Sequence, residues 1–234
     1  MGIAEASVVA DIGAGSGWFT IRLARRVGPQ GLVYAEDVQP EMLTAISRRV
    51  QREGLTNVEA RVMDGQALEL PDASFDAALS MFGIFLFADR PRALAELHRV
   101  VRPGGRVLST SWATFEHNTL LGVGVEAMRA ALPDLPRPAG PLPTQNPEVC
   151  ASELTAAGFR EVSARIVKAS ARYASAAAYW SAFDRASAQI GLLKTKLGDA
   201  FPAAAERIQA ELRARLGDAP FELQAAAIFA SGVR

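Results

Sequence analysis

Asp11, Gly13, Ala14, Gly15 and Gly17 fall within the run Val8–Thr20 (VVADIGAGSGWFT), and a pair of carboxylates, Glu36-Asp37, follows about twenty residues after the glycines. Alternate glycines reach dihedrals closed to other residues and let a ligand approach the backbone. Unpaired N–H groups where a helix starts after such a turn favour a carboxylate or phosphate. Asp11 can order an ammonium group or a water opposite that anion. Asp37 can accept both hydroxyls of a ribose, and the apolar Val38 behind it can lie on the face of a base; Glu36 is the alternative acid. Met63-Asp64-Gly65-Gln66 adds a carboxylate for an exocyclic amine and backbone amides for ring nitrogens. Singly, each has a plainer reading as a structural turn, a solvated acidic pair or a turn aspartate.

The spacing separates two ligand types. A dinucleotide fingerprint, G-x-G-x-x-G, needs its third glycine at position 18, where this chain has Trp18. An NAD-dependent oxidoreductase is therefore the remote alternative. His117, beside Glu116 and beyond the fifth strand, is the one histidine placed to act as a general base; His98 follows Leu97 on a helix between strands and reads as structural.

Composition removes other classes. The chain has 234 residues, enough for one large α/β domain, with 25 basic against 25 acidic residues. No net field draws it to nucleic acid or an anionic surface. Its single cysteine, Cys150, excludes an intrachain disulfide and a cysteine-rich metal site, and no metal is expected. No segment offers the roughly 18 apolar residues of a membrane span, and the N-terminus lacks signal-peptide character. A cytoplasmic location is the expectation.

Short apolar strands alternate with amphipathic helices from Val8 to about Trp112, the pattern of a parallel sheet covered on both faces. The spacing predicts strands at Val8–Ile12, Leu32–Glu36, Asn57–Met63, Phe75–Met81 and Arg106–Trp112. Helices are predicted at Trp18–Val27, from Pro40 to about Glu53, and over about Pro91–Val101, with Pro103-Gly104-Gly105 a break before the fifth strand. Beyond it, a helix over Leu120–Leu132 leads to the proline-rich Pro133–Pro147, read as a loop over the open edge. A helix from Asn146 to Gly158 and a sixth strand, Phe159–Lys168, follow. Helical segments between Ser175 and Leu216 form an insertion before the last strand, Phe221–Gly232.

Four motifs occur in a family's order and spacing: Asp11-Ile12-Gly13-Ala14-Gly15-Ser16-Gly17, Val33 through Leu43, Leu70-Pro71-Asp72-Ala73-Ser74-Phe75-Asp76, and Arg99 through Gly105. Over residues 8–112 the chain resembles the class I S-adenosylmethionine (SAM) dependent methyltransferases of the ubiquinone/menaquinone type. The resemblance implies a Rossmann-like doubly wound, seven-stranded, mostly parallel sheet with a helical insertion before the last strand. It implies one domain over 1–234, its SAM-binding half 1–112 and its substrate-covering half 113–234, with the insertion at about 175–216. Gly13, Gly15 and Gly17 would hold the methionine end of SAM and Asp11 its amino group. Asp37 would take the ribose, Val38 and Met42 the adenine side, and Asp64, Gly65 and Gln66 the base. Ser80, Met81 and Phe82 would lie near the sulfonium.

The resemblance further implies methyl transfer to oxygen, carbon or nitrogen of a hydrophobic or aromatic small molecule, with Phe82, Phe85, Phe87, Trp112, Phe115, Tyr179 and Trp180 as an aromatic wall. The first strand begins only about seven residues from Met1. Family members carry helices there that close over the cofactor, so three expectations follow: a start that is misassigned or trimmed, a homodimer that supplies the cover, or a weakly SAM-binding protein without transfer activity.

Overall fold

The computed structural model describes residues 2–135 and 142–234, so part of the predicted Pro133–Pro147 loop lies outside the described residues. Seven strands form one sheet in the order β3-β2-β1-β4-β5-β7-β6. They are β1 (Val8–Ile12), β2 (Leu32–Asp37), β3 (Val58–Val62), β4 (Phe75–Met81), β5 (Val101–Trp112), β6 (Arg160–Tyr173) and β7 (Phe221–Val233). The first five pair in parallel, and β7 runs antiparallel to β5. Sequence order reverses between β1 and β4, and sheets of this kind bind ligands outside the carboxyl ends of the strands at that reversal.

The described residues cluster into two compact units. The first holds the chain up to Trp112 with Leu142–Val167 and Ala227–Arg234. Its helices include α1 (Trp18–Val27), α2 (Pro40–Arg52) and α3 (Arg90–Val100). One core here joins Val9, Val33, Ala77 and Leu79 of the sheet to Leu23, Ala24 and Val27 of α1. Asn57 is buried and donates to the carbonyls of Ala24 at 2.9 Å and Gly28 at 2.8 Å, a second donor for groups that already accept from the Gly28 and Gly31 amides at the end of α1.

The second unit takes in 113–141 and 168–226. Its helices are α4 (Thr119–Ala131), α6 (Ala176–Ala186), α7 (Ala188–Leu197) and α8 (Phe201–Leu216); α5 (Pro147–Ala156) belongs to the first unit. Val125, Tyr179, Ile190, Ile208 and Leu212 form its core. Asn118, Ser175 and Ser187 cap α4, α6 and α7 by accepting from Leu121, Ala178 and Ile190 amides.

One expected break is absent. Pro103-Gly104-Gly105 does not end the helix ahead of a separate strand; β5 already begins at Val101. Its register against β4 shifts between Phe75↔Val101 and Ala77↔Arg106, so the intervening residues bulge from the ladder, with Gly104 at φ 78°. Their amide and carbonyl groups turn to the chain's end: the Gly104 amide donates to the Arg234 carbonyl at 2.9 Å, and the Arg234 amide to the Gly105 carbonyl at 3.0 Å.

Two of the four sequence motifs are tied to each other. Arg99 donates to the carbonyls of Leu68 and Leu70, each at 2.8 Å, while pairing with Asp72 and Glu96. Arg102 pairs with Asp76, whose other oxygen accepts from the Val8 amide at 2.7 Å. Removing the guanidinium in Arg99→Ala leaves two carbonyls without their donor. The expected loss is about 1–3 kcal/mol of stability, read as a lower urea midpoint, and Arg99→Lys does not restore both bonds.

Candidate cofactor site

At the end of β1 the turn 13–17 carries all three of its glycines in the left-handed region, Gly13 at φ 67°, Gly15 at 54° and Gly17 at 79°. They are glycines for different reasons. A Cβ on Gly17 would stand 2.8 Å from Ile46 Cγ1 on α2, so packing forbids it. A Cβ on Gly15 would meet nothing within 4 Å and would project into open space, the space a ligand against the backbone would need.

Four of the turn's own amides, ahead of the helix start to which the sequence pointed, are held by acceptors. Glu36 Oε1 accepts from the Gly13 amide at 2.8 Å, the Glu36 carbonyl from the Ala14 amide at 2.8 Å, and Asp37 Oδ2 from the Gly15 amide at 2.9 Å. The Gly17 amide donates to the Ala14 carbonyl at 3.1 Å. The partners at the end of β2 lie more than twenty residues away in sequence, so no local pattern could show them. β2 ends beside β1 in parallel register, Ile12 opposite Glu36, and that places both acids at the turn.

Three carboxyl groups thus meet at one edge of the sheet. Asp11 is buried; its Oδ2 accepts from Thr20 Oγ1 of α1 at 2.6 Å, and its Oδ1 has no hydrogen-bond partner among the described residues. Burial pushes its pKa up to about 6, against the Thr20 bond and with help from the Asp37 charge. Glu36 is also buried, and its pKa is pushed up to about 8. Desolvation is the main cause, opposed by the Gly13 amide and reinforced by Asp37, Asp11 and Asp64.

The remaining predicted residues take defined places. Val38 is 64% exposed just past β2, and Met42 is half-buried on α2. Asp64 is exposed and accepts from the Gln66 amide at 2.9 Å and its side chain at 3.0 Å, bonds that hold its pKa low; Gln66 Oε1 in turn accepts from the Asp89 amide at 2.7 Å. Gly65 is buried where a Cβ would come within 2.6 Å of the Phe87 ring and 3.0 Å of Ile12. Phe87 therefore supports the turn from within.

Ser80 is fully buried with its hydroxyl unpartnered among the described residues; Met81 and Phe82 are half-buried. Phe82 departs from β4 with φ 59°, unusual for a bulky residue. Its amide donates to Thr110 Oγ1 at 2.9 Å, and its ring stacks on Trp112, centroids 4.2 Å apart and planes 25° from parallel. These residues, the turn and Asp37 all belong to the first unit. His117 lies in the second, half-buried in the turn before α4, and its ring makes no hydrogen bond among the described residues.

The aromatic wall is smaller than the sequence suggests. Tyr179 is fully buried in the second unit's core with its hydroxyl donating to the Leu120 carbonyl at 2.7 Å, and Phe115 and Trp180 pack on the same core. Among the described residues no group of three or more His, Cys, Asp or Glu side chains could hold a metal ion, and no helix is long and apolar enough to cross a membrane.

A glycine turn after β1, an acid after β2 and a strand-order reversal define a Rossmann-like α/β fold, a class that binds ligands at that reversal. A family model described as a methyltransferase domain matches residues 9–105. The ubiquinone/menaquinone biosynthesis C-methyltransferase of Marinomonas sp. (strain MWYL1) is 32% identical over 120 residues, 51% of this chain and 48% of that protein. The demethylmenaquinone methyltransferase of Geobacillus stearothermophilus is 37% identical over 107 residues, 45% of each chain. Each match thus spans about half the length of the curated relative. A SAM dependent methyltransferase from Aquifex aeolicus shares the fold, with a TM-score of 0.54 at 22% identity over 96% of this chain and 84% of that one. Over residues 9–105 the chain is thus similar to a methyltransferase domain, and its fold is that of SAM-dependent methyltransferases.

Raised carboxyl pKa values carry a sign for stability. An acid whose folded pKa exceeds its unfolded one contributes stability at low pH that is lost as pH rises through the folded value. The ligand-free protein should therefore lose stability from about pH 4 to about pH 8. In Glu36→Gln the part of that loss above about pH 6 disappears, whereas a melting temperature that rises steadily to pH 8 in the parent protein overturns the assignment of buried, protonated acids.

Proposed function

We propose that this chain is a SAM-dependent methyltransferase that methylates carbon, oxygen or nitrogen of a hydrophobic or aromatic small molecule in the cytoplasm. The observation that carries the reading is the open cradle over Gly15, flanked by the unpartnered Asp11 Oδ1 and by Asp37. A buried oxygen without a donor suits the ammonium end of an amino acid, and the clustered acids favour a cationic ligand over a pyrophosphate. That electrostatic preference argues against a dinucleotide independently of Trp18.

When bound, SAM supplies a methyl group already activated by a positively charged sulfur. The residues would divide the work as follows. The 13–17 turn receives the amino-acid end, with Asp11 for its ammonium. Asp37 accepts from the ribose, Val38 and Met42 cover one side of the adenine, and Asp64, Gly65 and Gln66 meet its edge. Ser80, Met81 and Phe82 line the approach to the reacting atoms, where the Phe82–Trp112 pair offers an apolar, planar surface that excludes water. An in-line displacement needs alignment above all, so the protein's contribution is positional. His117 is the candidate base for an acceptor that must lose a proton.

The names of the two curated relatives support carbon of a quinone precursor as the first acceptor to try. Calorimetry with SAM and with its demethylated product S-adenosylhomocysteine tests the cofactor directly; heat with NADH and none with SAM overturns the reading. Asp37→Ala should weaken SAM binding by about 1–3 kcal/mol through lost charge-assisted bonds. Gly15→Val should abolish binding, because its side chain enters the cradle, and an unchanged dissociation constant removes the turn from the site. His117→Ala should slow transfer at unchanged SAM affinity.

A further inference from the structure

Glu36 is absent from the cofactor contacts just named, yet it holds more of the glycine turn than any other residue. Its side chain takes the Gly13 amide and its own carbonyl the Ala14 amide, both at 2.8 Å, from a position that solvent does not reach. We propose that Glu36 is the positioning residue of the turn, and that it gives up a proton to solvent when the cationic cofactor binds, so that SAM affinity rises with pH. The inference rests on the methyltransferase reading.

The surroundings of Glu36 make its charge depend on the ligand. Asp11 on β1, Asp37 beside it on β2 and Asp64 after β3 all oppose its ionisation. Among the described residues no basic group offsets them. Arg61 stands at the register position opposite Glu36 on β3, but it pairs with Glu59 at 2.7 Å and its guanidinium lies 5.2 Å from the centre of the Tyr34 ring. Arg49 reaches the turn from α2, donating to the Ser16 carbonyl at 3.1 Å and lying over Trp18. The Gly13 amide is the group that favours the ionised form, and a positive ligand would add to it. S-adenosylhomocysteine lacks the sulfonium charge and should draw off the proton less, which separates donor from product as pH changes.

Calorimetric titration of the full chain from about pH 6 to about pH 9, in buffers of different ionisation enthalpy, reads both affinity and proton release. The parent protein should bind SAM about tenfold more tightly at the upper end than at the lower, releasing a proton, with a shallower slope for S-adenosylhomocysteine. Glu36→Gln keeps an oxygen for the Gly13 amide and should still bind, with the SAM slope gone above about pH 7, where Asp11 is already ionised. Glu36→Ala loses the anchor and should bind both ligands at least about tenfold more weakly at every pH. A parental slope in Glu36→Gln, or parental affinity in Glu36→Ala, overturns the inference while leaving the cofactor reading intact. If Glu36→Ala fails to fold, Glu36→Gln alone decides it. Absence of SAM binding by the parent protein at every pH overturns the cofactor reading, and this inference with it.

Discussion

The bonds from the end of β2 to the 13–17 turn are what the candidate site depends on. A turn with three left-handed residues has no ladder of its own to hold it, and its amides must find acceptors elsewhere. Glu36 and Asp37 supply them across the β1–β2 pairing, so the register of two strands sets the shape of the cradle. That arrangement concentrates carboxyl groups in a poorly hydrated place, an electrostatic burden of the kind found at functional sites. Such a cluster favours positive charge nearby over negative.

Much of this was legible from the chain alone, for a physical reason. Strands β1, β2 and β4 and the first two helices are written in local periodicity and in turn residues, and the glycines stand where backbone geometry admits little else. The choice between Glu36 and Asp37 was harder, because neighbours on a strand point to opposite faces and only the register tells which face meets the turn. The sequence offered both as ribose acceptors; in the structure one is buried beneath the turn and the other lies half-exposed at its rim. The bulge at Pro103-Gly104-Gly105 escaped notice since its compensating bonds come from Arg234, at the far end of the chain. Tyr179 and Trp180 read as lining because an aromatic pair on a helix looks alike whether it faces a ligand or a core.

The motifs that identify the family do unlike jobs. The glycine turn and the acid after β2 border the open space over Gly15, whereas Leu70–Asp76 and Arg99–Gly105 hold each other through Arg99 and Arg102. Recognising the second pair is recognising a scaffold. Their presence says that β4 and β5 are tied to the strands' flanking segments, and nothing about a ligand.

Among the described residues each of the two units encloses a core of its own, Val125, Ile190 and Leu212 in one and Val9, Val33 and Leu79 in the other. Substitutions that resculpt Val125, Ile190 or Leu212 need not disturb Val9, Val33 or Leu79. Repacking of the helical core is therefore mechanically insulated from the sheet core beneath the glycine turn, each tolerating change without the other.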